Sequence, residues 1–155
     1  MQMIEAMNIT NIETPMYDDV FGMTQAIYAA QESDHRTQVG AYISGIQGSN
    51  STCKTSGGRP HAETTALLNC ARVGISTRGE TLYAPWAACP DCAQSIITAG
   101  VARVVVNRGA MDATPEDWRP QVENGLNMLI DAGVSVEVMQ PIGMYINIRG
   151  QKVEV

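Results

Sequence analysis

Residues 61–107 read HAETTALLNCARVGISTRGETLYAPWAACPDCAQSIITAGVARVVVN, and they repeat one simple pattern. A segment with helical spacing of apolar residues ends at a glycine, Gly74 or Gly100, and a short apolar strand follows. Glycine suits these positions because it adopts the left-handed conformation that ends a helix at little cost. The pattern predicts helices over 61–73 and 89–99, with strands over 81–84 and 101–107. Because helices and strands alternate, it indicates an α/β fold.

Towards the C-terminus the same pattern continues. Thr114 is placed to cap a helix over 115–132 that has proline in its first turn, and Gly133 separates this helix from a strand over 134–139. The last segment, 144–155, alternates weakly and is predicted to form a strand or a hairpin.

Towards the N-terminus a helix is predicted to begin near Asp18, and a β-branched apolar run over 39–43 predicts a strand. The polar loop over 45–58 has room for another short strand. Residues 1–16 show no sustained period and are predicted to be an N-terminal arm or a short edge strand. Together these elements predict one three-layer α/β/α domain.

The composition excludes several classes of protein. A chain of 155 residues with 45% hydrophobic and 17% charged residues is expected to form one globular domain. The net charge of -6 comes from residues 1–35, which contain acidic but no basic residues. The rest of the chain lacks the positive field that duplex DNA or structured RNA requires, although it could still bind one small anion.

The compartment is predicted from the N-terminus and the cysteines. The N-terminus is acidic and rich in methionine, and the chain has no apolar run of 18 residues or more, so a signal peptide and a membrane partner are not expected. We therefore expect a cytoplasmic protein. In that reducing compartment the four cysteines are expected to be thiols or metal ligands.

Two short motifs carry the predicted chemistry. His61 and Glu63 open one predicted helix, and Cys89-Pro90-Asp91-Cys92 opens another. Cysteines three residues apart share a helix face, so both sulfurs can bind one ion, and His61 can supply a third ligand. Three protein ligands with an open fourth position are typical of a catalytic zinc ion. The positive ends of the two helices favour the thiolate form.

Glu63 is predicted to act as a base and not as a ligand. It lies about 200° around a helix from His61, which places it away from the ligand face. A carboxylate beside a zinc ion can take a proton from the water that the ion activates and return it to the substrate.

Each motif alone has other interpretations. A single CxxC is also found in thioredoxin-like redox sites and in half of a zinc ribbon, and a single histidine is more often a surface or hydrogen-bonded residue. The chain has no second CxxC. The combination of both motifs, each at the start of a predicted helix, favours the catalytic zinc site.

With these residues the chain resembles the zinc-dependent cytidine and deoxycytidylate deaminase superfamily. The matching residues are Pro60-His61-Ala62-Glu63, Leu82-Tyr83, Cys89-Pro90-Asp91-Cys92-Ala93 and Ile96-Ile97. The stretch from Arg36 to Ala41 and the Gly/Asn loop after it are most similar to the deoxycytidylate (dCMP) deaminases. The similarity covers roughly residues 18–139.

The resemblance implies a cytidine deaminase-like fold with a central, mixed, five-stranded sheet. It also implies one catalytic Zn²⁺ per chain, held by His61, Cys89 and Cys92, with Glu63 moving protons. The expected reaction is hydrolytic deamination of dCMP to dUMP with release of ammonia. The family is often dimeric or hexameric, so a homo-oligomer is expected.

The substrate residues are expected on the same basis. The resemblance places the backbone amide of Ala62 against the base carbonyl, Asn50 at the sugar and Val39 against the base. Charge and position make Arg36, Lys54 and Arg59 candidates for phosphate, and Trp86 a candidate for stacking on the base.

The chain departs from the family pattern at Ala88, where proline is usual before the first cysteine. Some relatives have a second, structural zinc. The remaining His35, Cys53 and Cys70 have no clustered spacing, so a second metal is not expected.

Two alternatives for the function remain open. One is another deaminase of the superfamily, acting on cytidine, guanine or tRNA adenosine, although the neutral body of the chain disfavours the tRNA substrate. The other is a non-catalytic binding module that zinc stabilises.

Overall fold

A computed structural model describes residues 2–51, 58 and 60–155. Its six helices are α1 Gln2–Glu5, α2 Tyr17–Gln31, α3 Ala62–Val73, α4 Pro90–Thr98, α5 Arg108–Asp112 and α6 Arg119–Asp131. Its strands are β1 Thr10–Ile12, β2 Gly40–Ile43, β3 Ile46–Ser49, β4 Thr81–Tyr83, β5 Arg103–Asn107, β6 Ser135–Met139, β7 Tyr145–Ile148 and β8 Gln151–Glu154.

The central sheet is mixed and has the strand order β1-β6-β5-β4-β2-β3. Strands β1, β6, β5 and β4 are parallel, and β2 is antiparallel to both β4 and β3. The sheet therefore has six strands in place of the expected five. The additional edge strand is β1, in which Thr10 pairs with Glu137 of β6. Three residues are too few to show a strand period in the sequence.

Helices cover both faces of this sheet. Apolar residues of α3, α4 and α6 pack with Leu82 and Val104 on one face. Those of α2 and of the C-terminal hairpin pack with Tyr83 and Val105 on the other. Neighbouring residues of a strand point to opposite faces, so the two clusters are separated by the sheet. The predicted three-layer α/β/α architecture is confirmed.

Two glycines set how closely helices approach the sheet. A Cβ atom at Gly40 would lie 2.2 Å from the carbonyl oxygen of Ala26 in α2, and one at Gly48 would lie 2.3 Å from that of Ala62 in α3. Only glycine leaves room for such contacts. Gly48 therefore positions the first turn of α3, which carries two of the predicted site residues.

The last helix begins later than predicted. It starts at Arg119, after a turn in which the amide of Trp118 donates to the carbonyl of Pro115 at 2.9 Å. The Thr114 hydroxyl does not cap it, because that hydroxyl donates to the Met111 carbonyl at 2.7 Å. The cap expected at Thr114 is wrong for this reason.

The C-terminal segment forms the antiparallel hairpin β7–β8. The hairpin is joined to the segment before β2, where the amide of Gln38 donates to the carbonyl of Asn147 at 2.7 Å. At its turn the amide of Arg149 donates to the Thr37 hydroxyl at 3.0 Å. The turn therefore lies next to residues 36–38.

Among residues 2–51, 58 and 60–155, no helix has the length and apolar character that crossing a membrane requires.

Candidate active site

The candidate site lies where the first turns of α3 and α4 meet. His61 and Cys89 immediately precede these helices, both with extended backbone, and Pro90 occupies the first turn of α4. His61 makes no capping hydrogen bond with its side chain, so its imidazole is available for other contacts. Each helix start therefore presents a metal-binding side chain to the same space.

The three donor atoms lie close enough to share one ion. His61 Nδ1 is 3.3 Å from Cys89 Sγ and 3.2 Å from Cys92 Sγ, and all three atoms lie within 4.8 Å of one another. In a tetrahedral zinc site the corresponding nitrogen–sulfur separation is about 3.6 Å. One nitrogen and two sulfurs at these distances fit one Zn²⁺ per chain.

The two cysteines differ in acidity. The hydrogen bond from Cys92, with His61 nearby, lowers the pKa of Cys89 to about 4. The same bond and burial raise the pKa of Cys92. The pair thus readily supplies one thiolate, and a bound metal ion would displace the remaining proton. The Thr64 hydroxyl lies 3.5 Å from Cys92 Sγ and is a further polar contact of this ligand.

Glu63 is buried next to this cluster. Glu63 is only 4% exposed. Burial raises the pKa of its carboxyl group, although a hydrogen bond with Cys92 acts in the opposite direction. It lies outside the group of three donor atoms but lines the same cavity. A carboxyl group in this environment is suited to holding and releasing a proton.

A cavity of about 770 Å³ opens above the cluster. The predicted residues that line it are Val39, Asn50, Ala62, Arg36 and Trp86, together with His61, Glu63 and Cys89. The candidates Lys54 and Arg59 lie outside the described residues, as does Cys53. The structure thus brings the other predicted substrate residues to one cavity.

Asn50 is tied to the backbone beside it. Its Nδ2 donates to the Thr37 carbonyl at 2.8 Å, and its Oδ1 accepts from the amide of Val39 at 3.2 Å. These bonds fix the shape of the 37–39 segment, and one amide hydrogen of Asn50 is left for another acceptor.

Trp86 is fixed by its indole nitrogen, which donates to the Thr114 hydroxyl at 2.9 Å. Its ring lies 6.2 Å from that of Trp118, edge to face. The two indoles form an aromatic wall of the cavity. Trp118 was missed by the sequence analysis because the last helix was predicted to start before it, which concealed its place in a turn.

Ala88 stands in close contact with α6. A Cβ atom at Gly125 would lie 1.9 Å from the Ala88 carbonyl oxygen. Helix α6 therefore packs directly on the backbone that precedes the ligand Cys89. At this position, where the family pattern has proline, the chain is held by a helix contact.

Other lining residues missed by the sequence analysis are Val122 of α6 and residues from two further segments. His35 and Thr37 flank Arg36, and Arg149 comes from the hairpin turn. A hairpin over 144–155 was one of the two predicted alternatives, but no local signal brings its turn to residues that lie 112 positions away in sequence.

Comparison with known proteins gives the family. A profile described as "Cytidine and deoxycytidylate deaminase zinc-binding region" matches residues 16–108, more than half of the chain. The riboflavin biosynthesis protein RibD of Haemophilus influenzae is 39% identical over 88 residues, which is 52% of this chain and 21% of that protein. The deoxycytidylate deaminase of Enterobacteria phage T2 is 44% identical over 45 residues, 29% of this chain and 24% of that protein.

A solved structure covers more of the chain. The dCMP deaminase of cyanophage S-TIM5, in complex with dCMP and dUMP, has a TM-score of 0.63 and 27% identity, and the match covers 83% of this chain and all of that one. The two curated relatives, in contrast, are matched over only about a quarter of their length or less. The profile match, the donor cluster and the shared architecture agree, and the chain belongs to the cytidine and deoxycytidylate deaminase family.

Proposed function

We propose that this protein catalyses the hydrolytic deamination of a free cytosine deoxynucleotide, dCMP to dUMP. The observation that carries this proposal is the placement of the buried Glu63 carboxyl group and the His61/Cys89/Cys92 donor cluster at one cavity. A zinc ion held by those three residues supplies Lewis-acid activation of water.

Glu63 moves the protons of the reaction. It takes a proton from the attacking water and delivers one to ring nitrogen 3 of cytosine. A bond then forms between carbon 4 and the water oxygen. Glu63 then takes the remaining proton of the added hydroxyl group and delivers it to the exocyclic amine, while the carbon–oxygen double bond forms and the carbon–nitrogen bond breaks. One water is consumed and one ammonia is released, which leaves uracil.

The other lining residues hold the base and the sugar. Ala62 is the first residue of α3, where a helix amide has no partner within the helix, and this amide is suited to the base carbonyl. Val39 and Trp86 flank the base. Asn50 offers its remaining amide hydrogen to the sugar.

The similarity to the phage T2 deoxycytidylate deaminase, and to a cyanophage dCMP deaminase in complex with dCMP and dUMP, supports the choice of substrate. The similarity to the riboflavin biosynthesis protein RibD supports the second candidate, another deaminase of the same superfamily.

A substrate panel tests the proposal. The zinc-loaded protein is assayed for ammonia release with dCMP, dCTP, deoxycytidine, cytidine and guanine. We expect kcat/KM to be highest for dCMP, by at least about tenfold over deoxycytidine, because charged hydrogen bonds to phosphate add binding energy. A preference for an unphosphorylated nucleoside or for guanine would contradict the assignment.

The variant Glu63→Gln separates an enzyme from a binding module. It should reduce turnover by at least about 100-fold, since a positioned acid-base group contributes that much or more, while zinc stays bound at one ion per chain. Glu80→Gln is the matched control, because Glu80 is exposed and does not line the cavity. Unchanged turnover in Glu63→Gln would exclude the proposed role.

A further inference from the structure

Two segments that are distant in sequence meet in the lining of the cavity. They are residues 35–37 and Arg149 at the turn of the β7–β8 hairpin. Arg36 Nη2 donates to the Arg149 carbonyl at 3.0 Å, and the Gly150 amide donates to the Arg36 carbonyl at 2.7 Å. These two hydrogen bonds place two arginine residues side by side in the lining of the cavity.

The position of Arg149 is fixed independently of its side chain. Its amide donates to the Thr37 hydroxyl at 3.0 Å, and its backbone has a left-handed φ of 51°. The hairpin also makes two hydrogen bonds with Gln38. The amide of Asn147 donates to Gln38 Oε1, and the carbonyl of Asn147 accepts from the amide of Gln38. A change of the Arg149 side chain should therefore leave the turn in place.

The positive charge of these two arginines is only partly neutralised by acidic residues. Arg149 Nη2 donates to Asp117 Oδ2 at 2.7 Å, a contact with one nitrogen of the guanidinium. Asp117 does not line the cavity, and its side chain is 66% exposed. Of the described lining residues, Glu63 is the sole acid, and it lies beside the metal donors. Within the described part of the chain, the guanidinium of Arg36 has only the carbonyl of Arg149 as a hydrogen-bond partner.

We propose that Arg149, together with Arg36, binds the phosphomonoester of the substrate and selects nucleotides over nucleosides. This proposal rests on the proposed function. A guanidinium presents five donors in a planar fork that matches phosphate oxygens. Among the described residues each of the two guanidinium groups donates one hydrogen bond to the protein, which leaves most of its five donors for another acceptor. The aromatic wall of Trp86 and Trp118 lies in the same cavity and suits the base of the same molecule.

The first test compares nucleotide with nucleoside. In Arg149→Gln we expect kcat/KM for dCMP to fall about 10- to 100-fold, the loss of one to two charge-assisted hydrogen bonds, whereas that for deoxycytidine changes less than about threefold. Arg149→Lys should be intermediate, because it keeps the charge and loses the fork. Arg72→Gln is the matched control, since Arg72 is exposed in the last turn of α3 and does not line the cavity. An equal loss for both substrates, or no loss, would overturn the proposal.

The second test measures binding without turnover. Calorimetry with dUMP and with deoxyuridine should show weaker dUMP binding in Arg149→Gln and unchanged deoxyuridine binding. Asp117→Asn keeps a hydrogen-bond acceptor for Arg149 and removes a competing charge, so dUMP should bind it about two- to fivefold more tightly. Unchanged dUMP binding in both variants would overturn the proposal even if Arg149→Gln had lost stability.

The two proposals fail in different ways. If no cytosine compound is deaminated but inorganic phosphate and dUMP still depend on Arg149 for binding, the proposed reaction is wrong and the anion site stands. If dCMP is deaminated and Arg149→Gln retains the full preference for it over deoxycytidine, the reaction stands and the anion site is wrong.

Discussion

Two polar clusters lie on opposite faces of the central sheet, and they differ in whether their charges are matched. On the α2 face, Arg103 Nη1 donates to Asp19 Oδ1 at 2.7 Å, the Tyr83 hydroxyl donates to the same oxygen at 2.7 Å, and Arg103 Nε also donates to Glu137. We call this the closed cluster. Every charged member has a partner within it.

The cluster on the opposite face, formed by His61, Glu63, Cys89 and Cys92, is the open cluster. It assembles two sulfurs and a carboxyl group around one imidazole, with no arginine or lysine among them. Its members therefore compete for protons, as the opposite pKa shifts of the two cysteines indicate. The closed cluster therefore needs no further charge for its stability, whereas a bound divalent cation would stabilise the open cluster.

The largest effect is expected from breaking the open cluster at a ligand. Cys92→Ser should remove the zinc and lower turnover at least about 1,000-fold, because metal activation of water contributes several kcal/mol to the rate. Metal analysis and the ammonia assay check both parts. Cys70→Ser is the control, since Cys70 is equally buried and its thiol has, among the described residues, only the Ile43 carbonyl at 3.8 Å as a polar contact. A Cys92→Ser protein with full zinc content would contradict the metal assignment.

Breaking the closed cluster should affect stability and not zinc content. Arg103→Met leaves the buried Asp19 without its cation, and we expect a loss of about 2–4 kcal/mol in the free energy of unfolding, below the upper range for buried pairs because Arg103 is partly exposed. Urea unfolding of the zinc-bound protein measures it.

Glu5→Gln is the comparison for that experiment, because it breaks the ion pair of the exposed Glu5 with Arg108 at 3.6 Å and keeps the hydrogen bond from Arg108 to Asn11. This change should cost less than about 1 kcal/mol. Loss of zinc from Arg103→Met would show that the two clusters are not independent.

The closed cluster should also contribute to the loss of stability at low pH. The hydrogen bond from Arg103 lowers the pKa of Asp19 below its ordinary value of 3.8, although burial acts in the opposite direction. A carboxyl group with a lowered folded pKa stabilises the protein fully above its unfolded pKa. That stabilisation is lost as the pH falls through the lower folded value. The decline is therefore expected below pH 3.8.

Unfolding measured from pH 5 to pH 2 should show a smaller decline in Asp19→Asn than in the wild type. Asp18→Asn is the matched control, because Asp18 is the exposed neighbour of Asp19 on the same helix turn. Any effect of zinc release at low pH should be the same in both variants. Equal declines in both variants would show that Asp19 does not contribute.

The sequence predicted those parts of both faces that depend on local signals. Gly74, Gly100 and Gly133 were predicted to end helices, and each has a left-handed φ, 75°, 75° and 85°. The donor set of the open cluster was also predicted from spacing. Its ligands lie at the starts of α3 and α4, and the first turns of these two helices lie next to each other.

The sequence did not predict what depends on contacts between distant residues. For residues 1–16 the sequence left an arm and a short edge strand as alternatives, because β1 is held by backbone pairing with β6 and its side chains show no period. The closed cluster joins Asp19 to Arg103 across 84 positions, and nothing local distinguishes these from surface charges. Arg149 reaches the cavity for the same kind of reason, through the backbone of a hairpin turn.

The smallest effect sharpens the comparison within the closed cluster. Tyr83→Phe removes one hydroxyl that donates to Asp19 and leaves the ion pair with Arg103 intact. A buried hydrogen bond to a charged group contributes about 1.5–3 kcal/mol, and we expect the lower end because Asp19 keeps its bonds from Arg103. Urea unfolding and metal analysis should show that modest loss with unchanged zinc content. A loss as large as that of Arg103→Met would mean that the tyrosine, and not the cation, keeps the carboxylate buried.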